Sequence, residues 1–259
     1  MSVVSPVFSL NGKRGIVLGV ANQHSIAWGC AQAAHRMGAQ MVLSCVNEKA
    51  EQFVAPLAAQ INARLRVCNV EQDGSLEQFM ADAAAHLGQI DFIIHSIAWA
   101  PLEDLHGRVV DSSADGFLRA MNISCHSFAR VARLAEPHLS KQASLMTMTY
   151  LGADEAVENY GLMGPVKAAL ESLVRYLAAE LGPQGVRVHA VSPGPVPTRA
   201  ASGLTDFDDL MTKAVARSPL GRLVTLEEIG QLTGFLISDA SSGMTGQILY
   251  VDGGYHIVN

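Results

Sequence analysis

Arg14-Gly-Ile-Val-Leu-Gly19-Val20-Ala-Asn-Gln-His24-Ser25-Ile26-Ala27 reads as a short buried strand, a glycine turn and the opening of a helix. Gly19 lets the backbone turn and approach an anionic group closely, and Ser25 carries the side chain of a helix N-cap. The unpaired N–H groups at the start of the next helix favour a phosphate. Gly29, further along that helix, is expected to permit close packing against the sheet. The stretch lacks a G-x-G-x-x-G fingerprint, so taken alone it is equally a tight turn with an ordinary cap.

Outward from this unit, short apolar or β-branched runs alternate with longer amphipathic stretches along the whole chain. Strands are predicted at Gly15–Gly19, Gln40–Cys45, Leu65–Val67, Phe92–His95, Ala143–Thr149, Val186–Ser192 and Gln247–Val251. Helical periodicity is clearest at Ser25–Met37, Glu48–Ile61, Ser75–Leu87, Ile123–Glu136, Ala168–Leu181 and Leu226–Leu236. This alternation predicts an α/β fold: a Rossmann-type, doubly wound, seven-stranded parallel sheet with helices on both faces. No Pro/Gly/Ser linker, charge run or repeat divides the chain, so residues 1–259 are expected to form one domain. The longest aperiodic stretch, about 193–219, is expected to be a substrate-side flap.

Composition narrows the class. Of 259 residues, 18 are Lys or Arg and 24 are Asp or Glu, a net charge of −6 that lacks the basic footprint of a nucleic-acid binder. Charged residues are 16% of the chain, against roughly 25% in an average soluble domain, while 49% are hydrophobic. That scarcity of charge predicts oligomer interfaces. No apolar run is long enough to span a membrane, and Met1–Leu10 has no basic region ahead of its apolar residues, so no signal peptide is expected. The four cysteines show no metal-like spacing and read as free thiols; no metal is expected, and a reducing, cytoplasmic setting fits.

Strand two ends in Cys45-Val46-Asn47-Glu48-Lys49, where such folds sort NAD from NADP. No arginine stands there to pair an extra phosphate and Glu48 would repel one, so NADH is favoured; Lys49 leaves NADPH open.

After the fifth predicted strand comes Tyr150-Leu-Gly-Ala-Asp-Glu-Ala-Val-Glu-Asn-Tyr160-Gly-Leu-Met163-Gly-Pro-Val-Lys167. Here the chain resembles the short-chain dehydrogenase/reductases, whose ordinary members carry Ser-x12-Tyr-x3-Lys. Counting back from Lys167, the usual tyrosine place holds Met163 and the serine place holds Tyr150. The tyrosine stands instead at Tyr160, giving Tyr-x6-Lys. That arrangement is similar to the divergent branch of bacterial enoyl-acyl-carrier-protein reductases. His95-Ser-Ile-Ala-Trp-Ala-Pro101, Gly194-Pro195-x-x-Thr198, Thr245-Gly246-Gln247 and Val251-Asp252-Gly253-Gly254 extend the resemblance over essentially the whole chain.

On a continuous helix, offsets of four and seven lie within roughly 60° of each other, and seven residues climb about 10.5 Å against about 6 Å. Tyr160 is therefore expected on the active face, displaced along it. This suits reduction of an enoyl thioester, in which hydride reaches the β-carbon while charge develops on the more distant thioester oxygen.

The resemblance implies that Tyr160 stabilises that oxygen, Lys167 binds the nicotinamide ribose, and Tyr150 orients the acyl group. An ammonium near Tyr160 would also make its phenol a stronger donor. The resemblance implies cofactor contacts from Gly19, Ala21, Ser25 and Ile26 on the phosphates and from Asn69 and Val70 beside adenine. It implies others from Ser96 and Ala98 above the ribose and from Val196 and Thr198 at the carboxamide. Trp99, Tyr150, Tyr160 and Ala200 would line the acyl pocket, and Asp252 would support the fold. A homotetramer is implied too, with Ile123–Glu136 and Ala168–Leu181 as interface helices.

The chain departs from the family's pattern in places. Asn69 replaces the family's usual aspartate, and Ala98 its glycine; the Ala98 methyl narrows the space beside the nicotinamide and predicts weaker inhibition by planar molecules that stack there. Asn122 and Pro193-Gly194 look more like ordinary short-chain reductases, and Pro165 predicts a late or bent helix start. Asp206, Asp208 and Asp209 make acidic a flap that in relatives offers basic residues to acyl carrier protein, with Lys213, Arg217 and Arg222 as substitutes. The reading that follows is an NADH-dependent enoyl-thioester reductase, on acyl carrier protein, in fatty-acid elongation. An ordinary carbonyl reductase, an enoyl-coenzyme A reductase and an NAD-binding scaffold without turnover stand as alternatives.

Overall fold

The computed structural model describes residues 6–198 and 207–258. Among them, seven strands form one parallel sheet: β1 (Arg14–Leu18), β2 (Gln40–Cys45), β3 (Arg64–Val67), β4 (Ile90–His95), β5 (Leu139–Met148), β6 (Arg187–Pro193) and β7 (Ile248–Val251). Their order is β3-β2-β1-β4-β5-β6-β7, with every neighbouring pair parallel. The winding reverses between β1 and β4, the place where open α/β sheets bind ligands. The central strands are continuous apolar runs because both faces are covered. One face packs Ile16, Ile93 and Leu145 against helices; the other packs Val17, Ile94 and Met146.

Helices α1 (Ile26–Arg36), α2 (Glu48–Gln60) and α3 (Ser75–Leu87) fall where periodicity puts them. Ser25 caps α1 as expected, its Oγ accepting the Trp28 N–H at 3.3 Å. Gly29 does not face the sheet. A Cβ there would lie 2.7 Å from the Leu226 carbonyl, so the glycine lets α1 cross α9 (Leu226–Ile237), whose Gly230 answers Gly29 from the other side.

Other expectations need correction. A short helix α4 (Leu102–His106) follows β4, and the helix expected at Ile123–Glu136 begins earlier, as α5 (Ala114–Met121). It passes through a π turn at Asn122–His126 and resumes as α6 (Ser127–Ala135). The long helix α7 spans Met163–Leu181, starting ahead of Ala168. As Pro165 predicts, the helix starts late, after Tyr160; Pro165 itself is accommodated in the first turn, where its missing N–H would have had no intrahelical partner. The aperiodic flap contains α8 (Phe207–Arg217), while 199–206, with Ala200 and Asp206, lie outside the described residues. Among the described residues no helix is long and apolar enough to cross a membrane.

Candidate active site

Most of the residues singled out in the sequence follow the C-terminal ends of parallel strands and so share one edge of the sheet. Gly19 and Ala21 follow β1, Asn69 and Val70 follow β3, Ser96, Ala98 and Trp99 follow β4, Tyr150 follows β5, and Val196 and Thr198 follow β6. At the switch point the first and fourth turns touch. Gly19 has φ +91°, and a Cβ on it would sit 2.2 Å from the Ser96 carbonyl oxygen. Only glycine satisfies both demands. Its N–H is steadied by Ser44 Oγ at 3.2 Å, and Ser25 and Ile26 open the N-terminus of α1 beside it.

The loop after β3 is braced from behind. Asn69 Oδ1 accepts the Glu71 N–H at 3.1 Å, and Arg130 on α6 donates to the Val70 carbonyl at 2.8 Å while pairing with Glu77. After β4, the π turn sets Ser124 against Trp99: its hydroxyl accepts the Trp99 N–H and donates to the Trp99 carbonyl, both at 2.8 Å. The half-exposed Trp99 ring lies 4.6 Å beneath the Arg119 guanidinium. Asn122, at the start of the same turn, is exposed.

Tyr160 is not on α7. It precedes the helix in a turn that contains Asn159 at φ +59° and Gly161 at φ +49°. The helix-face expectation therefore fails, and the turn brings the ring in instead. Tyr160 packs on Tyr150 with ring centroids 4.8 Å apart, and a Cβ on Gly152 would meet its Cδ1 at 2.3 Å. Burial, then Tyr150 and Glu171, push the Tyr160 phenol above the ordinary tyrosine range, so it remains a protonated donor. Tyr150 is raised too, by burial first, and its hydroxyl is buried without a hydrogen-bond partner.

Lys167 is buried on α7, its Nζ donating to the Met148 carbonyl at 2.7 Å, and burial pushes its pKa down to about 8. The influences on the Tyr160 phenol, burial first and then Tyr150 and Glu171, all raise it. Met163, in the usual tyrosine place, is buried in the core.

Sequence reasoning missed three hydrogen bonds at this edge, made by two residues, Thr149 and His95. Thr149 donates to Glu171 at 2.7 Å; a Lys–Glu spacing of four residues on one helix was the available signal, but it is common. His95, fully buried, lies between Thr147 Oγ1 at 3.0 Å and Ser127 Oγ at 2.8 Å.

The family model described as "Enoyl-(Acyl carrier protein) reductase" matches residues 19–256. The chain belongs to this enoyl-acyl-carrier-protein reductase family. Within it, the chain is 42% identical over 250 residues to an enoyl-[acyl-carrier-protein] reductase [NADH] of Rhizobium meliloti, covering 96% of this chain and 92% of that one. It is 41% identical to the corresponding Escherichia coli enzyme, covering 96% and 95%. A crystal structure of the Bacillus cereus enoyl-acyl carrier protein reductase with NADP+ and an indole naphthyridinone superposes with a TM-score of 0.94 at 42% identity, covering 96% and 98%. The reductase of Anaplasma phagocytophilum in complex with NAD superposes at 0.93 with 40% identity, covering 100% and 98%.

Against this family background, the three cations expected to offset the acidic flap are all engaged. Lys213 pairs with Asp209 at 2.8 Å and Glu158 at 3.2 Å, Arg217 with Glu155 at 3.4 Å, and Arg222 with Glu228 at 2.6 Å. Arg217 also stacks over Tyr255, seating α8 on the C-terminal segment. Asp252 anchors that segment by accepting the Gly254 and His256 N–H groups, both at 2.9 Å.

Proposed function

We propose that this protein reduces the trans-2 double bond of an enoyl thioester carried on acyl carrier protein, using NADH, in fatty-acid elongation. The observation that carries the reading is the exchange at the start of α7. A buried Met163 occupies the place of the ordinary short-chain tyrosine, and the preceding turn presents Tyr160 against Tyr150. Of the features that favour a carbonyl reductase, Asn122 is exposed, while Pro193-Gly194 is buried at the end of β6.

The residues present fit a dinucleotide. The close approach of Gly19 to Ser96, which any side chain would block, leaves bare backbone next to the positive end of α1. Gly19, Ala21, Ser25 and Ile26 would hold the phosphates, Asn69 and Val70 the adenine, and Ser96, Ala98 and Lys167 the nicotinamide ribose. Val196 and Thr198 would meet the carboxamide. When bound, the nicotinamide supplies hydride to the β-carbon. Tyr160, kept protonated by burial, donates a hydrogen bond where charge develops on the thioester oxygen. Tyr150, Trp99 and Ala200 would shape the acyl pocket.

Residues 1–259 form one domain with a substrate-side flap at about 193–219, in the cytoplasm, a location supported by four buried free cysteines. A homotetramer is supported by Leu118 on α5 and Tyr176 on α7, exposed by 69% and 68%. Sedimentation is expected to give four copies; a monomer would count against this. The functional test compares NADH oxidation with one enoyl chain on acyl carrier protein and on coenzyme A, with a ketone as control. A strong preference for the carrier-bound chain is expected despite the engaged flap cations. Turnover of the coenzyme A form alone, or of the ketone alone, would refute the assignment.

A further inference from the structure

Two rungs tie α7 to the tip of β5. Lys167 Nζ donates to the Met148 carbonyl, and one helical turn later Glu171 Oε1 accepts the Thr149 hydroxyl, each at 2.7 Å. Thr149 is itself fixed: it is buried, its N–H donates to the Val191 carbonyl at 2.8 Å, and Tyr150 follows it directly. Residues four apart on a helix share a face, so Lys167 and Glu171 meet consecutive residues of the strand tip, Met148 and Thr149.

We propose that Glu171 is a positioning residue for the reduction: its carboxylate keeps the Lys167 ammonium charged and, by accepting the Thr149 hydroxyl, separately holds the strand tip that carries Tyr150. The inference rests on the enoyl-reductase reading above. Lys167 is buried, and a buried ammonium needs a compensating anion. Burial works against the ammonium's charge, and two groups oppose that loss: first Cys125 on the π turn, then the Glu171 carboxylate. Lys167 in turn acts on buried His95, helping to keep that ring neutral. Around Glu171 itself stand Arg175 on its own helix, Asp154 from the loop after Tyr150, and Tyr250 from β7. Burial raises the Glu171 carboxyl and Asp154 adds to the rise, while the Thr149 bond, Arg175 and Lys167 oppose it.

The sign of the coupling is fixed. Removing the carboxylate disfavours the charged lysine, so its deprotonation moves to lower pH. The experiment compares the full-length wild type with Glu171→Gln and Thr149→Val. It reads NADH affinity by fluorescence titration and thioester KM between about pH 6 and pH 9.5. In the wild type, the alkaline loss of NADH affinity is expected near the Lys167 value of about 8. In Glu171→Gln, which retains an oxygen to accept the Thr149 hydroxyl, this loss moves to lower pH by about half a unit or more. Thr149→Val keeps the carboxylate and so the pH dependence, but loosens the Tyr150 tip and raises the thioester KM by about threefold or more. Thr149→Ser restores that KM. An unmoved alkaline limb in Glu171→Gln overturns the proposal, as does a limb moved equally by Thr149→Val or a KM that Thr149→Val leaves alone. A wild type that binds NADH but reduces no enoyl thioester refutes the functional reading separately, because the NADH limb still tests the Glu171–Lys167 coupling.

Discussion

Tyr160→Phe is expected to lower kcat for the enoyl thioester by about 10²–10³-fold, the usual effect of removing a donor aimed at a developing oxyanion. The Kd for NADH stays at the wild-type value, because the lost hydroxyl belongs to the substrate side. The size of the effect follows from the surroundings. The phenol is raised by burial, so it acts as an intact donor, and a hydrogen bond in such a site is worth more than one in water. The ring has little freedom to be replaced by water, since Tyr150 packs on one side at 4.8 Å and the Gly152 backbone closes another. Gly152→Ala makes the complementary change: it keeps the hydroxyl and displaces the ring, because its methyl would lie 2.3 Å from Cδ1. A misplacement of about 1 Å can cost about 10²-fold, so Gly152→Ala falls between the wild type and Tyr160→Phe. Single-turnover rates beside NADH titrations check both variants. Wild-type turnover by Tyr160→Phe would remove the tyrosine from the mechanism.

The fold was legible where burial dictates residue type. A strand covered on both faces needs an unbroken apolar run, and Ile16–Leu18, Val42–Leu43 and Phe92–Ile94 show one. The Ser25 cap was legible for the same reason, since the hydrogen bond requires a side-chain oxygen at that place. The Tyr160–Lys167 pairing was legible as spacing but not as geometry. Helical periodicity assumes a continuous helix, whereas Gly161 at φ +49° ends the turn and α7 begins only at Met163. Helix α8 was available in the helical spacing of Phe207, Leu210, Met211, Ala214 and Val215, but Pro195, Pro197, Gly203 and Pro219 around it read as loop. The π turn at Asn122–His126 has no sequence signature either; what it does, turning Ser124 onto the Trp99 backbone, depends on a partner far away in the chain.

Lowering the pH from about 7 to about 5 is expected to cost about 4 kcal/mol of folding stability, from two buried histidines alone. His95 and His189 are both fully buried; burial pushes their pKa values down from 6.5 to about 3 and about 4 respectively. Lys167 adds to the depression of His95, and Arg187 to that of His189, where the Met244 backbone opposes it. For a base whose folded pKa is depressed, the unfolded chain takes up protons first. The stabilisation is complete above about pH 7 and is lost as the pH falls through about 6.5 towards the folded values. At about pH 5 each ring is roughly 1.5 units below its unfolded pKa, which is about 2 kcal/mol per histidine. The hydrogen bonds of His95 explain why its proton is refused. Ser127 gives its only hydroxyl hydrogen to the Ile123 carbonyl at 2.6 Å, so at 2.8 Å it accepts from Nε2–H. Nδ1 is then the acceptor for the Thr147 hydroxyl at 3.0 Å, and protonation there would break that bond inside the core. Urea unfolding at fixed protein concentration, at pH 7 and pH 5, measures the loss. His189→Asn is expected to remove about half of it, since its ring titrates independently of the β4 network. A loss in His189→Asn as steep as in the wild type would assign the acid sensitivity to groups other than this histidine.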